Sequence, residues 1–103
     1  MSRPRIRLRR EAEADLAEAM AWYEERRAGL GVELLRSVER VLESIREYPL
    51  AAADLHRGVR RVKTRRFQYF VYYVVENDDL TVIAVLHQAR DPRTWMGRLG
   101  DST

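Results

Sequence analysis

Apolar and polar positions follow three different rhythms along this chain. Residues 5–10, RIRLRR, change side at every step, so Ile6 and Leu8 fall on one face of a short extended strand and the arginines on the other. The next segment, EAEADLAEAMAWYEERR, moves to steps of three and four. Ala12, Leu16, Ala19, Met20 and Tyr23 then share one side of a helix, and the acids crowd its first turns, where the helix dipole favours them. AGLG interrupts the pattern, and glycine ends a helix well because it tolerates positive φ. A second helix runs through VELLRSVERVLESIREYP, with Leu30, Leu34, Val38, Val41, Leu42 and Ile45 as its apolar stripe and Pro49 as its stop. Two amphipathic helices joined by a tight turn form an antiparallel hairpin.

Beyond the loop LAAADLHRG the period changes. Residues 59–65, 67–76 and 80–89 are rich in Val, Ile, Tyr and Phe and predict three strands, the last two joined by a turn at NDD. The segment 67–75 is apolar on both sides, as suits a central strand covered on both faces. A proline-started turn of helix follows in RDPRTWMGR, and the polar end, 99–103, is expected to fray. The order strand, helical hairpin, three-stranded meander, short turn predicts one α+β domain over 1–103, with its core at about 5–98 and the helices on one face of a twisted antiparallel sheet. A chain of 103 residues is long enough for one modest core.

Composition and charge then narrow the function. The chain has no cysteine, which removes disulfide and thiolate chemistry and fits a reducing cytoplasm. No run of 18 apolar residues offers a membrane span, and the N-terminus lacks the apolar stretch of a secretory signal, so a soluble cytoplasmic protein is expected. The net charge of +3 conceals an asymmetry: residues 1–55 carry ten cations against 11 acids, residues 56–103 nine against five. Between positions 56 and 75 there are six cations and no acid, and all but Lys63 are arginine, the better side chain for forked hydrogen bonds to phosphate or carboxylate. An anionic partner is implied.

That run, GVRRVKTRRFQYFVYYVV, joins the charge to the most apolar strand. Arg60, Arg61, Lys63, Arg65 and Arg66, with Arg90 after the last strand, are the candidate surface for a target or partner. The competing reading is a solvated edge, but such an edge normally interleaves acids, as the two helices do. Tyr69 and Tyr73 share one face of the central strand and Tyr72 takes the other; two are expected in the core with satisfied hydroxyls, while an exposed one beside Arg60 or Arg66 would stack on a base. Trp22 and Tyr23 are expected to pack in the core or the hairpin. His87, three residues before Arg90, is a candidate proton carrier, since imidazole titrates near neutral pH; its simpler role is to hydrogen-bond a loop or the tail. Asp91 is expected to cap the last turn, Pro92 to start it, and Trp95 to fold back on the sheet as a latch. His56 and His87 have no companions at ligand spacing, so no metal or cofactor is expected.

Three stretches together resemble a known family. DLAEAMAWYEER in the first helix, RRFQYFVYYVV in the central strand and VLHQARDPRTW at the end, in this order and spacing, are similar to the RelE/ParE superfamily of toxins from bacterial type II toxin–antitoxin modules. The likeness runs from about residue 5 to 98 and implies the small toxin fold, a helical hairpin against a twisted antiparallel sheet. It implies one of two targets: the RelE branch cuts messenger RNA on the ribosome, the ParE branch poisons DNA gyrase. Either is neutralised by a cognate antitoxin, ParD-like or related. Metal-free RNA cleavage needs a base, an acid and cations on the phosphate. Lys63, Arg65 and Arg90 could supply the cations and His87 the proton transfer. RelE-type enzymes further place a tyrosine or histidine about a turn beyond the arginine; here Trp95 and Met96 stand there, and neither exchanges a proton. The resemblance therefore favours a gyrase poison without chemistry of its own, with an endoribonuclease second and an inactive binding module of the same fold third.

Overall fold

The computed structural model describes residues 4–99. Seven elements follow one another: β1 (Arg5–Leu8), α1 (Arg10–Arg26), α2 (Leu30–Glu47), β2 (Arg60–Lys63), β3 (Tyr69–Glu76), β4 (Asp79–His87) and α3 (Arg93–Gly97). The expected element order is present throughout. β2, β3 and β4 form an antiparallel meander, and β1 joins the far side of β4 in parallel, giving the sheet order β1-β4-β3-β2. Parallel neighbours need a long crossover. Everything between β1 and β4 serves as one, so Arg5 lies opposite Asp79 and Leu8 opposite Val82.

The helical hairpin turns where the glycines predict it. Gly29, at φ 93°, precedes α2, and Gly31 sits so close to α1 that a Cβ there would lie 2.8 Å from the Met20 carbonyl oxygen. The Glu24 carboxylate closes the turn by accepting the N–H groups of Gly29 at 2.8 Å and Gly31 at 3.0 Å. It thereby satisfies donors that a helix start leaves unpaired. At the other end of α2, Pro49 holds Tyr48 out of helical geometry, at φ −133°.

The sheet is buried on both faces, as the apolar central segment requires. Under the helices, Leu34, Val38, Ile45, Val71, Tyr73, Leu80, Val82 and Val85 pack with Phe67 and Ala12. On the opposite face Val59, Tyr72, Ile83, Ala84, Leu86 and Trp95 form a second, smaller core. The switch between faces is helped by a bulge: Tyr72 lies opposite Ala84 but Tyr73 opposite Val82, so Ile83 is the extra residue. The β3–β4 turn is tight, Glu76 facing Asp79 with Asn77 at φ 58°, a conformation asparagine adopts readily.

The strands are shorter than the expected 59–65, 67–76 and 80–89. Val59 is drawn into an isolated bridge with His56. Gln68 adopts φ 56°, and Thr64 exchanges bonds with Tyr69 through its backbone and its hydroxyl, so residues 64–68 become a connection. β4 ends at His87, placing Arg90 in the turn beyond it, where its N–H donates to the His87 carbonyl. Leu99 packs on the smaller core, and the rest of the segment expected to fray lies outside the described residues. Among those residues no helix is long and apolar enough to cross a membrane.

Candidate functional site

The cation run does not form one shelf. β2 is an edge strand, and its alternation sends successive side chains to opposite faces. Arg60 and Val62 face the helices: Arg60 lies opposite Tyr73 and donates to the Ala52 carbonyl. Arg61 takes the other face, its guanidinium 4.0 Å above the centre of the Phe70 ring. Arg66 reaches α2 and pairs with Glu33 at 2.7 Å. Lys63 and Arg65 border a groove between α2 and the free edge of β2, with Arg40 as a third cation, Ser37 and Ser44 as hydroxyls, and Val41 and Val62 below. Among the described residues no acid lines that groove. The expected single surface is thus corrected to a division: strand alternation parts Arg60 from Arg61, and Arg65 and Arg66 lie beyond the end of β2.

Arg90 and His87 lie elsewhere, in a cleft of about 310 Å³ between α1 and the ends of β3 and β4. Glu18, Trp22, Tyr23 and Tyr69 complete its functional wall. His87 and Tyr69 are cross-strand partners with ring centres 5.4 Å apart, edge to face. His87 Nδ1 accepts the Ala89 N–H at 3.1 Å. Burial raises the Tyr69 hydroxyl above its ordinary pKa of 10.0; Tyr23 and Glu18 add to this and Arg90 opposes it. Tyr69 therefore keeps its proton at neutral pH and is unsuited to act as a base. Of the core or hairpin position expected for Trp22, the core half is corrected: it is 50% exposed, with the Arg26 guanidinium 3.3 Å over its ring. The helix turns it one step past the buried stripe of Ala12 and Ala19. Tyr23 does pack inward, edge-on to Phe67 at 5.0 Å.

The C-terminal turn travels to the opposite face. The Asp91 carboxylate accepts the Arg93 N–H at 2.9 Å and is gripped by the Arg93 guanidinium at 2.6 Å; these bonds hold its pKa below the ordinary value. Pro92 precedes the helix, and Trp95, 4% exposed, stacks on Tyr72 with ring centres 5.2 Å apart. The four residues that RNA cleavage would combine are accordingly split. His87 and Arg90 line one groove, Lys63 and Arg65 another, and the two linings share no residue.

Two residues that bind the architecture together escaped the sequence reading. Where the β1 ladder ends, Asp15 accepts the Val85 N–H at 2.9 Å and Arg98 donates to the Ile83 carbonyl at 2.9 Å. Asp15 carries a visible signal, since it sits between Ala12 and Ala19 at the spacing of the buried stripe. Arg98 carries none locally.

A family model described as the ParE toxin of the type II toxin–antitoxin system, parDE, matches residues 6–92. Among solved structures, a chain of the chromosomal ParDE TA system from P. aeruginosa is similar with a TM-score of 0.72 and 14% identity, covering 82% of this chain and 95% of that one. Identity that low speaks to the fold, and the fold agrees. A search of curated proteins finds no match. The chain belongs to the ParE toxin family of type II toxin–antitoxin systems.

Proposed function

We propose that this toxin arrests growth in the cytoplasm by binding DNA gyrase rather than by cutting RNA, and that a cognate antitoxin neutralises it. The observation that carries the reading is the place of Trp95. It stands where an RNA-cutting relative would need a titrating side chain, and it is buried against Tyr72, on the face away from the cleft that holds His87 and Arg90. A proton donor and acceptor flanking one phosphate would need both groups on the same side. The acidic segment of the antitoxin fits the acid-free groove of Arg40, Lys63 and Arg65, beside the unpaired edge of β2, which invites an added strand.

The endoribonuclease alternative keeps one point in its favour: His87, Arg90 and Glu18 line a single cleft. Purified toxin added to gyrase and relaxed plasmid decides between them, run beside primer extension on translated messenger RNA. Loss of supercoiling activity with intact transcripts is the expected outcome, unchanged in His87→Ala and Arg90→Ala. Codon-specific cuts that disappear in those two variants would replace this reading with the nuclease. Normal growth on expression without any antitoxin would leave the inactive binding module.

A further inference from the structure

Ser37, Thr64 and Thr81 are the buried polar residues among those described. A buried hydroxyl ordinarily finds a hydrogen-bond partner. Thr64 exchanges bonds with Tyr69, and Thr81 donates to the Glu76 carboxylate at 3.2 Å. Ser37 differs: it is 3% exposed, and its hydroxyl has no hydrogen-bond partner among the described residues. It stands in the buried stripe of α2, between Leu34 and Val41, where alanine would pack as well and favour the helix more. A hydroxyl without a partner in such a place lowers stability. The opening it lines is the groove between α2 and β2, so a partner from outside can reach it there.

The rest of the groove defines that partner's chemistry. Arg40, one turn along α2, and Lys63 and Arg65 across from it make no ion pair among the described residues. Arg66, the next cation, is by contrast taken by Glu33 at 2.7 Å. Glu39 and Glu43, the acids on this stretch of α2, line a separate hollow with Arg36 and Arg40. A hydroxyl donor among three unpaired cations suits an oxyanion, held by charge-assisted hydrogen bonds. The carrier of that oxyanion follows from the edge of β2, which pairs only with β3. Such an edge presents N–H and C=O groups together; a phosphate backbone offers acceptors alone, whereas an added polypeptide strand matches both. Every second side chain of that strand lies on the helix side of β2, above Val62 and toward Ser37. Of the two proteins proposed as partners, the antitoxin is the one that the family pairs with the toxin. We infer that the Ser37 hydroxyl is the fixed donor to one carboxylate on the antitoxin's added strand, with Arg40 and Lys63 flanking it. The inference rests on the antitoxin reading above and names the contact by which the groove selects its partner.

Ser37→Ala tests it, purified beside the parent. Thermal melting reads the free toxin, and titration calorimetry reads its hold on the antitoxin of the adjoining reading frame, on gyrase and on duplex DNA. The expected result is melting at or above the parent's temperature, with antitoxin binding about tenfold weaker. The acids of the antitoxin are also changed to amides one at a time. One of these variants is expected to bind parent and Ser37→Ala alike, which marks the carboxylate that the hydroxyl holds. Equal antitoxin affinity in parent and Ser37→Ala overturns the inference. Melting below the parent does so too, since the hydroxyl would then serve the fold. A loss confined to gyrase or DNA also overturns it and gives the groove to another occupant. A parent that binds no antitoxin removes the antitoxin reading and this inference together; a parent that binds beside an unaffected Ser37→Ala removes the inference alone.

Discussion

Asp15 and Arg98, 83 positions apart, meet in a forked ion pair with N–O distances of 2.7 and 3.0 Å. The same two side chains take up the Val85 N–H and the Ile83 carbonyl. They do for the upper half of β4 what β1 does for the lower half. Removing either partner strands the other in a poorly hydrated place, with exposures of only 11% and 17% for the two side chains. Arg98→Ala should cost about 2–3 kcal/mol, less than at a deeply buried pair, because this one lies near the surface. Asp15→Asn keeps an acceptor for the Val85 amide and should cost less. Chemical denaturation of the three proteins checks the order.

Glu24 makes stability depend on acid. Its pKa lies below the ordinary 4.5 because the Gly29 amide, and then the Gly31 amide, hydrogen-bond the ionised form. A depressed carboxylate stabilises the fold above its unfolded pKa and loses that contribution as pH falls through the folded one. Glu24→Gln should melt lower than the parent at pH 6, and the two should converge as pH drops below about 4. Parallel melting curves with a constant gap between pH 6 and 3 would show that the carboxylate's charge is irrelevant to the turn.

Tyr73 works at the other end of the scale. Burial raises its hydroxyl above 10.0, with Arg60 pulling the other way. A raised phenol stabilises the fold below its unfolded pKa and withdraws that contribution as pH climbs through the folded value. Tyr73→Phe should lose about 1 kcal/mol at neutral pH, the worth of its bond to the Pro49 carbonyl, and should decline less than the parent above pH 10. Hydrogen exchange in residues 48–55 should quicken in the same variant.

The α2–β2 groove predicts a salt signature. Lys63→Glu with Arg65→Glu should weaken antitoxin binding by at least about tenfold at low salt and flatten its dependence on ionic strength. Titration calorimetry at several salt concentrations measures both. Equal slopes for parent and variant would place the antitoxin's acids elsewhere.

Much of the fold was legible because its signals are local. The steps of Leu34, Val38, Val41 and Ile45, the stop at Pro49 and the valine-rich strands each report on a few neighbouring residues. The direction of β1 was not local, since nothing in RIRLRR states whether its neighbour runs with it or against it. The cation run misled for a physical reason. Density along the chain looks like density on a surface, but a strand alternates, and Arg60 and Arg61 end on opposite sides. His87 and Arg90 were found together because only two residues separate them. Glu18, Trp22 and Tyr69 reach the same cleft only through the packing of α1 on β4, which periodicity does not specify.

The parallel pairing of Arg5 with Asp79 has a consequence for the toxin's birth. The opening strand has no neighbour until residues 79–87 have been synthesised, so the sheet cannot close progressively as the chain emerges. Assembly is late and long-range, the slow regime of folding. An interval therefore separates the synthesis of β1 from the closing of the sheet around it.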